Sequence, residues 1–163
     1  MIEITPTKEQ IEQAKKEAKN LGSLSGSITR GAGNTAGFLG EIIVADILAA
    51  TRQNTFDFDM IDANNVRIDV KTKRCTSAPK ETYDCVVPAH GSKQACDDYV
   101  FVRMLDNLSK AWVLGRKPKK EFYADATYRK KGDVDESCGF VYKASCYVLP
   151  MSQLEALSTL YES

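Results

Sequence analysis

The chain has 163 residues, of which 43% are hydrophobic and 27% charged, a balance that suits one globular domain over 1–163 with a real core and argues against disorder. Lys plus Arg equals Asp plus Glu at 22 each, which excludes indiscriminate attraction to nucleic acid, although bases gather at 71–74, 116–120 and 129–131. No apolar run nears the ~18 residues of a membrane span, no basic stretch leads into an apolar core at the start, and five cysteines without a CxxC pair suit reduced thiols; the expected setting is cytoplasmic, with no membrane partner.

In "TPTKEQIEQAKKEAKNLG", Thr7 and Gln10 have the spacing of a capping box. Ile11, Ala14, Ala18 and Leu21 form the apolar stripe of a first helix, and Gly22 is its expected stop. "GSLSGSITRGAGNTAG" breaks the pattern. Gly31, Gly33 and Gly37 are spaced GxGxxxG, with no strand before them and no Lys-Ser or Lys-Thr after, which argues against a nucleotide loop. Arg30 in this loop is a candidate phosphate contact. A second helix, Thr35 to Ala50, is apolar nearly all round and should be buried. Phe38, Glu41, Ala45 and Leu48 share one stripe, on which Glu41 is the only charge. A carboxylate on a buried face must be paired, metal-bound or protonated. The other reading puts Glu41 at a helix edge, in water.

A hairpin follows. "TFDFDMI" alternates Phe56, Phe58 and Met60 with Asp57 and Asp59, and "DANN" supplies turn residues. "NVRIDVKTKR" returns with Val66, Ile68, Val70 and Thr72 on one face and Arg67, Asp69, Lys71 and Lys73 on the other. A turn centred on Asn64 sets Asp59 opposite Asp69 and Asp57 opposite Lys71. "CTSAPKETYDCVVPAHGSKQACD" reads as irregular, with a lone His90 and, before the next strand, Gln94 as a further polar group. "DYVFVRML" and "SKAWVLGR" are strands joined by "DNLS", and "GFVYKASCYVL" is a late strand. Ser152 and Glu155 are placed to cap a last helix with Leu154, Leu157 and Leu160 inside. This order predicts an α/β architecture around one sheet.

Two carboxylates facing each other across a strand pair repel unless a cation lies between them. Oxygen ligands suit magnesium or manganese, with waters completing the shell. Lys71, two residues on, can orient a water or steady charge on a phosphate, and Glu41 can add a further carboxylate. The competing reading is a solvated face with cross-strand ion pairs such as Asp57 with Lys71, each worth little.

"GE" in a helix, then "FDFD", then "IDVKTKR" resembles the PD-(D/E)XK nuclease superfamily. Asp69-Val70-Lys71 matches its (D/E)xK element, and ten residues separate Asp59 from Asp69. Phe58 stands where the pattern has proline. Asp57 is the second-choice strand acid; Asp59 is preferred because it faces Asp69. The likeness covers about residues 35–105 and is nearest to small phage and bacterial nucleases, including the Holliday-junction-resolvase-like branch. It implies a restriction-endonuclease-like fold, a central mixed β-sheet flanked by helices. It further implies an endonuclease that hydrolyses DNA phosphodiester bonds with Mg2+ (or Mn2+), in the cytoplasm of a bacterial or phage-infected cell. Asp59, Asp69, the Val70 carbonyl and Glu41 would hold metal, Lys71 would position water, and Lys73 and Arg74 would meet phosphates. The alternative is a non-catalytic DNA-binding module on the same scaffold. The basic "GRKPKK" is either a hairpin gripping DNA or a solubilising turn. Cutting two strands would need two sites, and so a homodimer.

Overall fold

A computed structural model describes residues 1–25, 32–53 and 55–157, without the side chains of 22–25, 32 and 33. Helix α1 spans Lys8–Ser25 and α2 spans Ala32–Leu48. Thr7 and Gln10 form the expected reciprocal cap: the Gln10 N–H donates to Thr7 Oγ1, and the Thr7 N–H to Gln10 Oε1. α1 runs on through Gly22, because glycine permits a helix stop without imposing one. Ala14 and Ala18 are buried at the contact with α2, while Leu21 is 41% exposed. α2 ends where Ala49 takes a left-handed φ of 51°. Arg30 lies outside the described residues.

The main sheet has six strands: β1 (Ile2–Ile4), β2 (Thr51–Arg52), β3 (Met60–Ile61), β4 (Arg67–Cys75), β6 (Asp98–Leu105) and β7 (Ala111–Pro118). Their order is β1-β7-β6-β4-β3-β2. β4 and β6 are parallel and the other pairs antiparallel, so the sheet is mixed. A second sheet combines β5 (Asp84–Pro88), β11 (Cys146–Pro150) and β8 (Thr127–Arg129) in the order β5-β11-β8. Helix α3 (Lys119–Asp125) follows β7, and β9 (Val134–Asp135) pairs with β10 (Phe140–Val141). The architecture is mixed α/β, a mixed central sheet with three flanking helices. No described helix is long and apolar enough to cross a membrane, and the five cysteines are free thiols.

Strand alternation sends successive residues to opposite faces. Ile68, Val70, Val100, Val102 and Val113 pack with Leu39 and Ile43 of α2. Tyr99, Phe101, Trp112 and Leu114 form a second core with Phe122 of α3 and Leu149 of β11. β6 is therefore buried on both faces, which explains its nearly unbroken apolar sequence. The face of β4 that carries its charges lies on this second side, which covers Asp69 and part of Lys71 and leaves Arg67 and Lys73 exposed.

Several expectations give way to tertiary contacts. β1 and β5 were not expected; β5 forms in the stretch read as irregular because β11 pairs along it. "GFVYKASCYVL" divides into β10 and β11. "TFDFDMI" contributes only Met60–Ile61, because Thr55 closes a turn on Phe58 through both its N–H and its hydroxyl. Phe56 is left exposed and Phe58 joins the second core. "GRKPKK" is no hairpin: it is the end of β7 and the start of α3. Ser152 caps no helix over the described residues. Met151–Gln153 is a 3-10 turn, and Glu155 then exchanges two 2.8 Å backbone hydrogen bonds with Arg116. Gly115, at φ 150°, permits that approach, since a Cβ there would lie 2.5 Å from the Glu155 carbonyl oxygen. Leu160 lies outside the described residues.

Candidate active site

Met60 pairs with Ile68 and Ile61 with Arg67, the register that brings Asp59 level with Asp69. The Asp59 N–H donates to the Ile68 carbonyl at 2.8 Å. Beyond it the 55–58 turn carries the chain away from β4. The next amide on that edge, Val70, therefore donates to the Asp59 carboxylate at 2.7 Å. The same turn removes Asp57, whose carboxylate accepts the Ala95 N–H at 3.0 Å. The expected Asp57–Lys71 pair is thus not made, and Asp57 stands apart from the other acids.

Lys71 instead lies beside Asp69, Nζ to Oδ2 2.7 Å, and donates to Gln94 Oε1 at 3.1 Å. Gln94 Nε2 donates to Asp69 Oδ1 at 3.1 Å and to the Phe56 carbonyl at 3.0 Å. One buried amide thus fixes both the acid and the lysine. Its position follows from the 3-10 turn Ala89–Lys93, which ends at Gln94. Asp69 is 4% exposed, and its Oδ2 receives no hydrogen bond: the contact with Lys71 is close but outside hydrogen-bonding geometry.

Glu41 arrives from the other layer. α2 crosses β4 so closely at Gly40 that a Cβ there would lie 2.0 Å from Thr72 Oγ1. This brings the Glu41 carboxylate, 14% exposed, within hydrogen-bonding reach of Asp59. Arg52 NH2 donates to Glu41 at 2.8 Å, and its NH1 pairs with Glu17 of α1 at 2.9 Å. Glu41 and Asp59, both half-buried, and the buried Asp69 therefore form a row of acids with Arg52 at one end and Lys71 at the other. Arg52 and Glu17 carry no sequence signal for this role; only the fold brings them here.

Burial is the main force on all three carboxyls. It pushes Asp59 up to about 8, helped by the charges of Asp69 and Glu41 on either side. Burial also raises Glu41, against the pull of Arg52, and Asp69, against the pull of Lys71. Asp59 lies within hydrogen-bonding reach of both Glu41 and Asp69, whose charges disfavour its ionised form. Among the described residues, no group of three or more His, Cys, Asp or Glu side chains is gathered so as to hold a metal ion.

The basic residues divide. Lys73 pairs with Arg103 in the β4–β6 register, and burial together with that guanidinium lowers its pKa. Arg74, expected on a phosphate, is on the opposite side of the strand by alternation, where Nε binds Asp106 at 2.9 Å. The 116–120 segment is largely engaged internally: Arg116 pairs with Asp98, Lys117 with Asp125, and Lys119 donates to the Gln94 carbonyl. His90 is exposed in its turn. No protein-family model matches the chain, and no curated protein sequence matches it significantly.

Proposed function

We propose that this protein is a metal-dependent nuclease of the PD-(D/E)XK type that hydrolyses DNA phosphodiester bonds. The observation that carries this reading is the largely desolvated row Glu41–Asp59–Asp69 with Lys71 held against its last member. Burial and mutual repulsion disfavour three ionised carboxyls here, a strain that either a retained proton or a bound cation relieves, and the nuclease reading assigns that part to a cation. The donors are hard oxygens, and Asp69 Oδ2, which faces the Lys71 ammonium at 2.7 Å, would serve a metal once that ammonium turns to the phosphate. Asp59, Asp69 and the Val70 carbonyl would hold Mg2+ or Mn2+, ions that keep several waters and so need few protein ligands. Once bound, the metal acidifies water and neutralises charge developing on the phosphate.

The remaining work falls to this chain's own groups. Gln94 aims the Lys71 ammonium along the acids, where it meets a phosphate oxygen or the attacking water. Arg52 keeps Glu41 in line and favours its ionised form, ready to accept a hydrogen bond from water. The mixed sheet supports the reading by setting the strand acid, the acid-x-lysine pair and the helix glutamate around one open strand end.

The test is incubation with supercoiled plasmid, linear duplex, single strand and a four-way junction, in magnesium, manganese or chelator. Asp69→Asn and Lys71→Ala are run alongside. Cutting that needs metal and is abolished by both substitutions is the expected result. DNA binding without cutting in any metal would favour a binding module, and cutting that survives both substitutions would move the site elsewhere.

A further inference from the structure

β3 pairs with β4 only at Arg67 and Ile68, so from Val70 onward that edge of β4 has no partner strand among the described residues. A groove runs along it. The first part, a cavity of about 420 Å3, is bounded by Gly37 of α2 and by Cys85 and Val86 of β5, with Lys71 and Lys73 in its lining. Lys73, Val86 and Arg103 also line a second cavity, of about 570 Å3, which reaches Tyr83, Phe140 and Tyr142. The groove therefore begins at the lysine of the acid row and ends among aromatic rings.

Its chemistry changes along its length. Lys73 and Arg103 are cross-strand neighbours, and among the described residues neither makes an ion pair. Arg103 donates to the Asp84 carbonyl and lies 5.9 Å from the Tyr83 ring. The Asp84 carboxylate acts on both without an ion pair to either, so two cations face one acid and the excess positive charge suits an anion. Lys73 is two residues past Lys71, roughly 6.6 Å along the strand, so the anion would be the neighbour of one held at Lys71. At the far end Phe140 is 52% exposed, with Tyr142 edge-on at 5.2 Å. Asp84 and Asp135 also line this end, where their acceptor oxygens suit the amino groups of bases rather than phosphates.

We infer that the groove is a track for an unpaired DNA strand, with Lys73 and Arg103 on the phosphate next to the reacting one and Phe140 stacking a base. This rests on the nuclease reading and sharpens its substrate to DNA with a single-stranded portion. Bases inside a continuous duplex are stacked on one another and offer no face to Phe140, whereas unpaired bases do.

The experiment measures fluorescence anisotropy of the full chain with a labelled single-stranded 20-mer, the matching blunt duplex and a tailed duplex, all in chelator. Binding is then read without cutting. The single strand and the tailed duplex should bind more tightly than the blunt duplex. Phe140→Ala, at an exposed position, should weaken single-strand binding by roughly five- to one-hundred-fold and leave blunt-duplex binding unchanged. Lys73→Ala should weaken binding and reduce the salt slope by about one. Equal binding of blunt duplex and single strand, or an unchanged single-strand affinity in Phe140→Ala, would overturn the track. Strand binding that depends on Phe140, with no cutting in any metal, would keep the track and reject the nuclease. Cutting with Phe140→Ala silent in binding would do the reverse.

Discussion

Lys71 Nζ lies 2.7 Å from Asp69 Oδ2, two residues along one face of the same strand. Neighbours at that spacing project in parallel, so the pair needs no loop to form it. Among the described residues it is the only cation paired at the Asp69 end of the acid row, and it fixes what Asp69→Asn should do. The asparagine can still bond Gln94 but removes one carboxyl from a crowded, desolvated row. In chelator its melting temperature should equal or exceed that of the parent chain, while the rise that magnesium gives the parent should vanish. Calorimetric scans with and without magnesium check this; a preserved magnesium shift would place the ion elsewhere.

Asp59 gives a pH dependence with a definite sign. Its carboxyl is held up to about 8 in the folded chain, against about 3.9 when unfolded. The folded state thus binds the extra proton between those values. The resulting stability is fully present below about pH 4 and is lost as pH rises through about 8. Glu41 and Asp69, also raised, act in the same direction. Urea midpoints in chelator should therefore fall between pH 5 and pH 8, and Asp59→Asn should flatten that decline. A midpoint that climbs over the same range would contradict the buried row.

Gly40 tests how Glu41 is delivered. A methyl at this position would meet Thr72 Oγ1 at 2.0 Å and force α2 off β4. Gly40→Ala should destabilise the chain by about 1–3 kcal/mol, the usual effect of overpacking, despite alanine's better helix propensity. Adding Thr72→Ala should recover part of the loss. Chemical denaturation of the single and double variants measures both.

Gln94 makes side-chain hydrogen bonds to Asp69, Lys71 and the Phe56 carbonyl. Removing it with Gln94→Ala should leave a folded protein whose cleavage rate is lower by roughly 10–100-fold, the range for residues that orient ligands. Steady-state rates beside circular dichroism spectra separate this from unfolding. A wild-type rate would show that Lys71 and Asp69 hold their geometry unaided.

Much of this arrangement is written locally. The alternation in "NVRIDVKTKR" and the turn residues of "DANN" specify β4 and its register with β3, and so the level placement of Asp59 and Asp69. Periodicity put Glu41 on one stripe of α2 with Phe38, Ala45 and Leu48, and left open whether that position is buried or at a wet helix edge. Tertiary structure decided the rest. Asp57 and Asp59 have the same parity, and only the turn closed by Thr55 sends Asp57 to Ala95. Arg52 reaches Glu41 and Glu17, and Gln94 reaches Asp69, across segments that no short-range pattern relates. Alternation left open whether the charged face of β4 is solvated, because it reports two faces without saying what covers each. Periodicity and turn chemistry are properties of a few adjacent residues. Which distant groups share a buried site depends on how the whole chain covers its apolar surface, and here that placed a second core beside the charged face of one strand.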